Sequence, residues 1–530
     1  MNFFDILKSK NQLVAPENKL ESISIFFSCL FSLFLFMIVL YWMNLLVVLM
    51  ISPLLAIFIL SCISTSRLRL IKTVSLLLSL FIFLLSCLLF MLYLRRYGHN
   101  IFEFEYLLNW VFSNYLHYRI GVDGISIIFV ILTTFLIPIC ILCSWESVVY
   151  RVRDFFIFLF LIEFLLLNVF IVLDLILFYV FFESVLIPMF FMIGIWGSRE
   201  RKIHAAYQFF LYTLFGSLIM LLGVLFIYNI LGSTDFEILA THHLSKELQN
   251  ILWLTFFLSF AVKMPMVPVH LWLPEAHVEA PTAGSVLLAG ILLKMGGYGI
   301  LRFMIPVFPD ANFYYRPLVF TLSLIAIIYT SCTTLRQMDL KKIIAYSSVA
   351  HMNFVTLGIF SQTITGIEGS IFLMLTHGVI SSGLFLCIGM IYERYGSRLL
   401  LYYGGLVQYM PLFCLVFFIF TIGNMGLPLT ASFIGETLIL LGIGNKSLFV
   451  ALLAFSGVIL GGIYSIWLYN RVCFGFLNKN FFKMFSDLNE RELLFIVPLA
   501  ILVFYLGVFS SVVLEVIHFS IFNLMYTSFS

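Results

Sequence analysis

From about residue 44 onward the chain is a succession of long apolar runs, divided by short connections that carry charges, glycines and prolines. A helix needs about 20 residues to cross roughly 30 Å of hydrocarbon. Runs of that length place fourteen spans, near 44–64, 70–94, 123–144, 155–173, 175–196, 205–231, 251–270, 283–305, 317–335, 342–360, 367–392, 411–440, 448–470 and 493–516. No run alternates polar and apolar residues with a period of two, so the spans are read as helices and not as the strands of a barrel. Residues 22–42 reach the first span almost without a polar turn, so 1–43 are read as a membrane-associated N-terminal extension, 44–520 as the transmembrane domain and 521–530 as a C-terminal tail.

Two spans are interrupted. The seventh contains AVKMPMVPVHLWLPEAH (261–277), where Pro265 and Pro268 each remove a helical hydrogen bond and free carbonyls that only protein or cavity water can satisfy at that depth. The twelfth contains TIGNMGLPLTASFIGE (421–436), with Gly423, Gly426 and Pro428. Broken helices five spans apart indicate two inverted five-helix repeats, spans 4–8 and 9–13, with ion sites near the bilayer midplane. The predicted fold is an all-α polytopic membrane protein of about fourteen helices.

Composition agrees with that pattern. Of 530 residues 62% are hydrophobic and 10% charged, with a mean hydropathy of +1.11, so polar side chains are too few to coat a water-soluble globule. One set of loops collects seventeen lysines and arginines and the alternate set seven, which places the richer side inside. Residues 1–21 mix Asp5, Glu17 and Glu21 with three lysines and no arginine, a poor composition for a transit peptide. The nine cysteines lie mostly within apolar runs, and Cys140 and Cys143 are read as small core residues, not metal ligands. No phosphate-binding glycine motif is present; GIGNKS at 442–447 is the nearest imitation.

Chemistry is carried by the few polar residues inside the spans. Lys263 lies twelve residues from the start of its span and Lys294 eleven from either end of its own. That is about 17 Å, too deep for a lysine stem of about 6 Å to reach water. A charge so placed costs about 3 kcal/mol or more without water or a partner. Glu183, Glu436 and Glu163 are the deep carboxylates, and Glu163 has no partner that the sequence can name. His270, His351 and His377 complete the list; imidazole titrates near neutrality and passes protons between its two nitrogens. Any one of these histidines reads equally well as a hydrogen-bonded helix residue, but together with the lysines and glutamates they suggest a polar path. Gly290, Gly296, Gly297 and Gly299 are expected to leave room for water around Lys294.

The segments FYVFFESVLIPMF, AVKMPMVPVHLWLPEAHVEAPTAGSVLLAGILLKMGGYGILRF, DLKKIIAYSSVAHMNF and SFIGETLIL closely resemble the antiporter-like, proton-pumping membrane-arm subunits of mitochondrial respiratory complex I (NADH:ubiquinone oxidoreductase), over residues 44–520. The resemblance implies a translocase subunit in which Glu183 and Lys263 form an ion pair, Lys294 is the central proton carrier and Glu436 the terminal carboxylate, with His270, His351 and His377 along the path. Burial favours a neutral lysine and a nearby carboxylate favours a charged one, so displacing Glu183 relative to Lys263 would switch proton affinity. It implies no cofactor in this chain, with NADH, FMN, iron–sulfur clusters and ubiquinone held by other subunits. It also implies no metal and no nucleic acid. The implied partners are the neighbouring antiporter-like subunits 2 and 5, including the long lateral helix of subunit 5, accessory subunits and lipids such as cardiolipin. The implied location is the mitochondrial inner membrane, with the chain encoded in the mitochondrial genome, as its 61 phenylalanines also suggest. His204 stands where the family has a lysine and is given no role. A multisubunit cation/proton antiporter without electron transfer is the alternative. A purely structural scaffold fits poorly with two deep lysines.

Overall fold

The computed structural model describes residues 44–96, 100–109, 117–476 and 486–529. The extension assigned to residues 1–43 lies outside them. The chain divides into two units, 1–48 and 49–530, and of the first only residues 44–48 are described.

The helices in chain order are α1 (Leu45–Cys62), α2 (Leu68–Arg96), α3 (Gly124–Ser147), α4 (Val152–Ile171), α5 (Leu175–Trp196), α6 (Lys202–Leu231), the short α7 (Phe236–Thr241) and α8 (Lys246–Lys263). They continue with the short α9 (Trp272–Glu279), then α10 (Thr282–Val307), α11 (Pro309–Thr334), α12 (Leu340–Phe360), α13 (Ile364–Tyr395) and α14 (Pro411–Met425). The last four are α15 (Ala431–Gly444), α16 (Leu448–Cys473), α17 (Glu490–Val508) and α18 (Ser511–Phe529). Among the described residues twelve helices are long and apolar enough to span a membrane, with shorter apolar helices besides, consistent with about fourteen spans. In each group of five, α4 to α10 and α11 to α16, the fourth span is the broken one, and an odd number of spans turns the second group over relative to the first.

Local chemistry sets the ends. Asp123, Asp174 and Asp339 cap α3, α5 and α12 with their carboxylates, and Gly232, Gly396 and Gly426 close α6, α13 and α14 with φ of +70°, +67° and +69°. At the first break α8 stops at Lys263 and the chain turns irregularly until Trp272. Protein groups satisfy the freed carbonyls: Trp272 Nε1 donates to Val262 O at 2.9 Å, and Asn353 Nδ2 to Pro265 O at 3.2 Å. The apolar stretches of α10 and α13 are buried along their whole length, and α12 nearly so; these three form the centre.

Three details differ from the sequence reading. The connection after α2 holds an antiparallel hairpin, β1 (Glu103–Asn109) and β2 (His117–Val122), anchored where Arg119 pairs with Glu105, Asp235 and Glu237. The span expected at 493–516 is two helices: α17 ends at Val508, and α18 begins at Ser511 and runs through most of the residues set apart as a tail. Arg302, Lys341 and Arg398, counted as loop charges, are 4%, 2% and 0% exposed, because side chains of neighbouring helices close over them at the ends of the spans.

Candidate functional site

Lys294 lies in a regular stretch of α10, Leu293–Gly299, between two wide π-helical turns, Leu288–Leu292 and Ile300–Met304. Such turns shift the hydrogen-bond ladder and leave carbonyls free for other donors. Its ammonium takes one of them, Ala289 O, and meets His377 Nδ1 of α13 at 2.9 Å. Beyond His377 the ring of His351 on α12 follows at 5.7 Å between centroids. His351 in turn places Nδ1 3.3 Å from Glu436 Oε1 and Nε2 3.1 Å from Asn424 Oδ1. All four of these titratable side chains are buried. Lys294, His377, His351 and Glu436 thus form one line across three helices and into the second broken helix, with a single ring-to-ring step not closed by a direct hydrogen bond.

The break at α14–α15 positions the far end of this line. Gly426 holds a left-handed turn, and a Cβ there would stand 2.6 Å from Glu436 Oε2. The carboxylate therefore seats against bare backbone. Gly426→Ala is expected to push Glu436 away from His351 and lower any activity carried by this line several-fold in the assembled protein, while Gly444→Ala, with nothing within 4 Å, leaves it unchanged. Equal rates in the two variants would contradict this placement.

Lys263 heads elsewhere. Its ammonium donates to Phe182 O at 2.7 Å and lies 3.2 Å from the centroid of the Phe182 ring. Glu183, half-buried on α5, follows immediately, but its carboxylate does not come within the 4.0 Å of a contact ion pair; it acts on Lys263 through space, and one of its oxygens is buried without a partner. Pro188 lacks the N–H that would pair with the Ser184 carbonyl, and the helical run of α5 is interrupted at Val185, two residues past Glu183.

The other expected residues stand off this line. His270 sits between Tyr329 and Tyr346, at 6.2 and 6.3 Å, with no hydrogen bond to either lysine. Glu163 is 0% exposed and neither of its oxygens has a partner. The glycines around Lys294 do not open space for water: added Cβ atoms at Gly290, Gly296 and Gly297 would strike Leu136, Met264 and Met374 at 2.5–2.7 Å, so these glycines allow close helix packing instead.

A second polar cluster was not anticipated. His277 on α9 is fully buried, stacked on Phe385 at 4.8 Å, with both ring nitrogens unpartnered. Ser285 donates to His277 O at 3.0 Å, and Lys341 donates to Ala280 O at 2.9 Å and reaches Ser285 Oγ at 3.4 Å. Glu279 and Arg398 complete the cluster with further unpartnered buried atoms. Burial lowers the Arg398 guanidinium below its ordinary value, against the pull of Asp339. An open, charged cavity lined by Arg199, Glu275, Glu279, Asp339 and Lys342 lies over this cluster on the lysine- and arginine-rich side. The signals for it were present in the quoted motif, which ends at His277, and in DLKK at 339–342. No group of three or more histidine, cysteine or carboxylate ligands placed to hold a metal ion occurs among the described residues.

Broken helices with buried lysines and glutamates define an antiporter-like membrane domain, and the family model described as NADH:quinone oxidoreductase/Mrp antiporter, TM, matches residues 173–461. NADH-ubiquinone oxidoreductase chain 4 of Marchantia polymorpha is 56% identical over 479 residues, covering 90% of this chain and 96% of that one. A chain of respiratory complex I from Thermus thermophilus with bound NADH superposes with a TM-score of 0.82 at 29% identity, over 91% of this chain and 99% of that one. A chain of the Mrp complex from Dietzia sp. DQ12-45-1b shares the fold, with a TM-score of 0.80 at 19% identity over 92% and 99%. The chain belongs to the NADH-ubiquinone oxidoreductase chain 4 family.

Proposed function

We propose that this chain is a membrane-arm subunit of NADH:ubiquinone oxidoreductase that translocates protons across the membrane while other subunits carry electrons from NADH to ubiquinone. The observation that carries this reading is the buried line from Lys294 through His377 and His351 to Glu436. Lys294 in its charged form can hand a proton to His377 Nδ1, whose other ring nitrogen is then free to release one toward His351. Glu436 Oε1, 3.3 Å from His351 Nδ1, accepts the proton at the end of the line. Glu183 and Lys263 act earlier, the carboxylate acting through space on the ammonium, which stays anchored on Phe182 O. Glu163 and His270 are retained as protonatable groups beside the line, and His277, Lys341 and Glu279 as groups leading to it from the basic side.

Neighbouring charges drive such a pump, so no redox centre is required in this chain; NADH, FMN, iron–sulfur clusters and ubiquinone belong to other subunits. The partners on this reading are the antiporter-like subunits 2 and 5, the lateral helix of subunit 5, accessory subunits and cardiolipin. The location is the mitochondrial inner membrane, the chain being encoded in the mitochondrial genome. Residues 1–43 are a membrane-associated extension. The cation/proton antiporter reading rests on shared fold alone.

Purifying the native assembly through a tag on this chain tests the reading. Flavin and iron–sulfur proteins are expected with it, and proteoliposomes of the purified assembly are expected to pump protons when NADH and ubiquinone are supplied. Antiporter subunits without flavin or iron–sulfur chains would overturn it.

A further inference from the structure

Away from the basic side, α10 continues from Lys294 to Tyr298 and Arg302, four and eight residues on, stacked along one helix face. Tyr298 is 0% and Arg302 4% exposed. The Tyr298 hydroxyl donates to Phe170 O at 2.8 Å and accepts from Arg302 Nε at 3.1 Å. The guanidinium donates through a second nitrogen to Asp123 Oδ1 at 2.7 Å, and that oxygen also accepts from Ser126 N at 2.9 Å. The rings of Phe102, Phe236 and Tyr298 surround the guanidinium carbon at 5.1, 5.4 and 5.3 Å. None of the buried side-chain polar atoms of Tyr298, Arg302 and Asp123 lacks a partner.

The two ends of the Lys294 site are therefore unlike. Toward the basic side, both nitrogens of His277, Glu279 Oε2 and two nitrogens of Arg398 are buried without protein partners, the condition under which water occupies a polar interior. Toward the opposite side the Tyr298 hydroxyl and two of the three guanidinium nitrogens of Arg302 are committed, and a cation stands in the way. An arginine does not release its proton in a protein, so it cannot serve as a step in proton transfer. Its charge also repels a proton approaching along the helix, as fixed cations do in pores that exclude protons.

We propose that Tyr298, Arg302 and Asp123 form a charged seal that keeps a proton held at Lys294 from crossing directly to the side opposite the basic loops, leaving the His377 line as its way out. The proposal rests on the reading of Lys294 as a proton carrier. Arg302 donates through Nε to the Tyr298 hydroxyl, four residues on from Lys294, and through another nitrogen to Asp123, so the guanidinium bridges Tyr298 and the carboxylate. A unit charge about 4 Å from the route, with its counter-charge about 7 Å away, gives a barrier worth roughly tenfold or more in rate at an effective dielectric of about 20.

The test uses the whole complex in proteoliposomes, with two measurements: passive decay of an imposed pH gradient without NADH, and NADH-driven acidification. Asp123→Asn/Arg302→Gln removes both charges together and leaves neither buried alone. It is expected to speed passive decay about tenfold and weaken acidification while NADH oxidation continues. Adding Lys294→Ala should suppress the extra leak. A tight double variant beside a Lys294→Ala variant that has lost pumping would overturn the seal alone. Intact pumping in Lys294→Ala would overturn the carrier reading and the seal with it. Should the double variant not assemble, Arg302→His supplies a switchable charge: the leak relative to native is expected to be larger at about pH 8 than at about pH 6. A relative leak that does not change between them would overturn the proposal.

Discussion

Lys294→Ala is expected to abolish proton translocation, and Lys294→Arg is expected to fail almost as completely. The lysine meets the His377 end of the buried line, and both of its contacts, Ala289 O and His377 Nδ1, are acceptors that a charged ammonium can satisfy. A neutral amine can still hold Ala289 O while His377 carries the proton on, so the site supports both states. Alanine removes the carrier, a loss on the order of a hundredfold or more for a positioned proton-transfer group. Arginine keeps the charge but does not release it. If Lys294 only supplied a fixed positive charge, arginine would restore most of the activity. NADH-driven acidification, measured on complex that retains its native subunits, separates the two: full acidification in the arginine variant would remove Lys294 from the path.

Glu183→Gln carries the second large effect. Glutamine preserves the shape of the side chain beside the interruption of α5 and removes only its charge. Because the carboxylate stands beyond 4.0 Å from the Lys263 ammonium, the lost attraction is purely through space. At an effective dielectric of about 20 it amounts to less than about 4 kcal/mol, and roughly 2 kcal/mol at about 8 Å, which is more than tenfold in the proton affinity of Lys263. Lys263 keeps its hydrogen bond to Phe182 O, so the complex is expected to assemble normally while proton transport falls about tenfold. Unchanged proton transport and quinone reduction in the variant would show that Lys263 does not depend on this charge.

Much of the candidate site could be read from residue order, for a reason specific to membranes. A lysine eleven residues inside an apolar run has nowhere to put its charge, so Lys263 and Lys294 declare themselves without any alignment. Prolines and glycines within a span likewise announce broken helices, since the freed carbonyls demand partners. Charges near a span end carry no such signal. Lys341, Arg302 and Arg398 look like ordinary loop cations, and only the tertiary structure, which brings Phe102 and Phe236 around Arg302 and the end of α9 against Lys341 and Arg398, shows that they are buried. His277 was hidden for a related reason: the chain restarts as a helix after an irregular turn, so no periodicity says which way its ring points.

Spans, breaks and the identities of the deep ionisable residues were determined by the sequence itself, because transfer into hydrocarbon is decided residue by residue along one chain. Connections between those residues were decided only by the tertiary structure. Lys294 reaches His377 and not Lys263 because two wide turns in α10 and glycines filled by Leu136, Met264 and Met374 set how closely the helices approach. Those contacts join residues far apart in the chain, and local pattern holds no information about which of two equally buried helices a side chain will face.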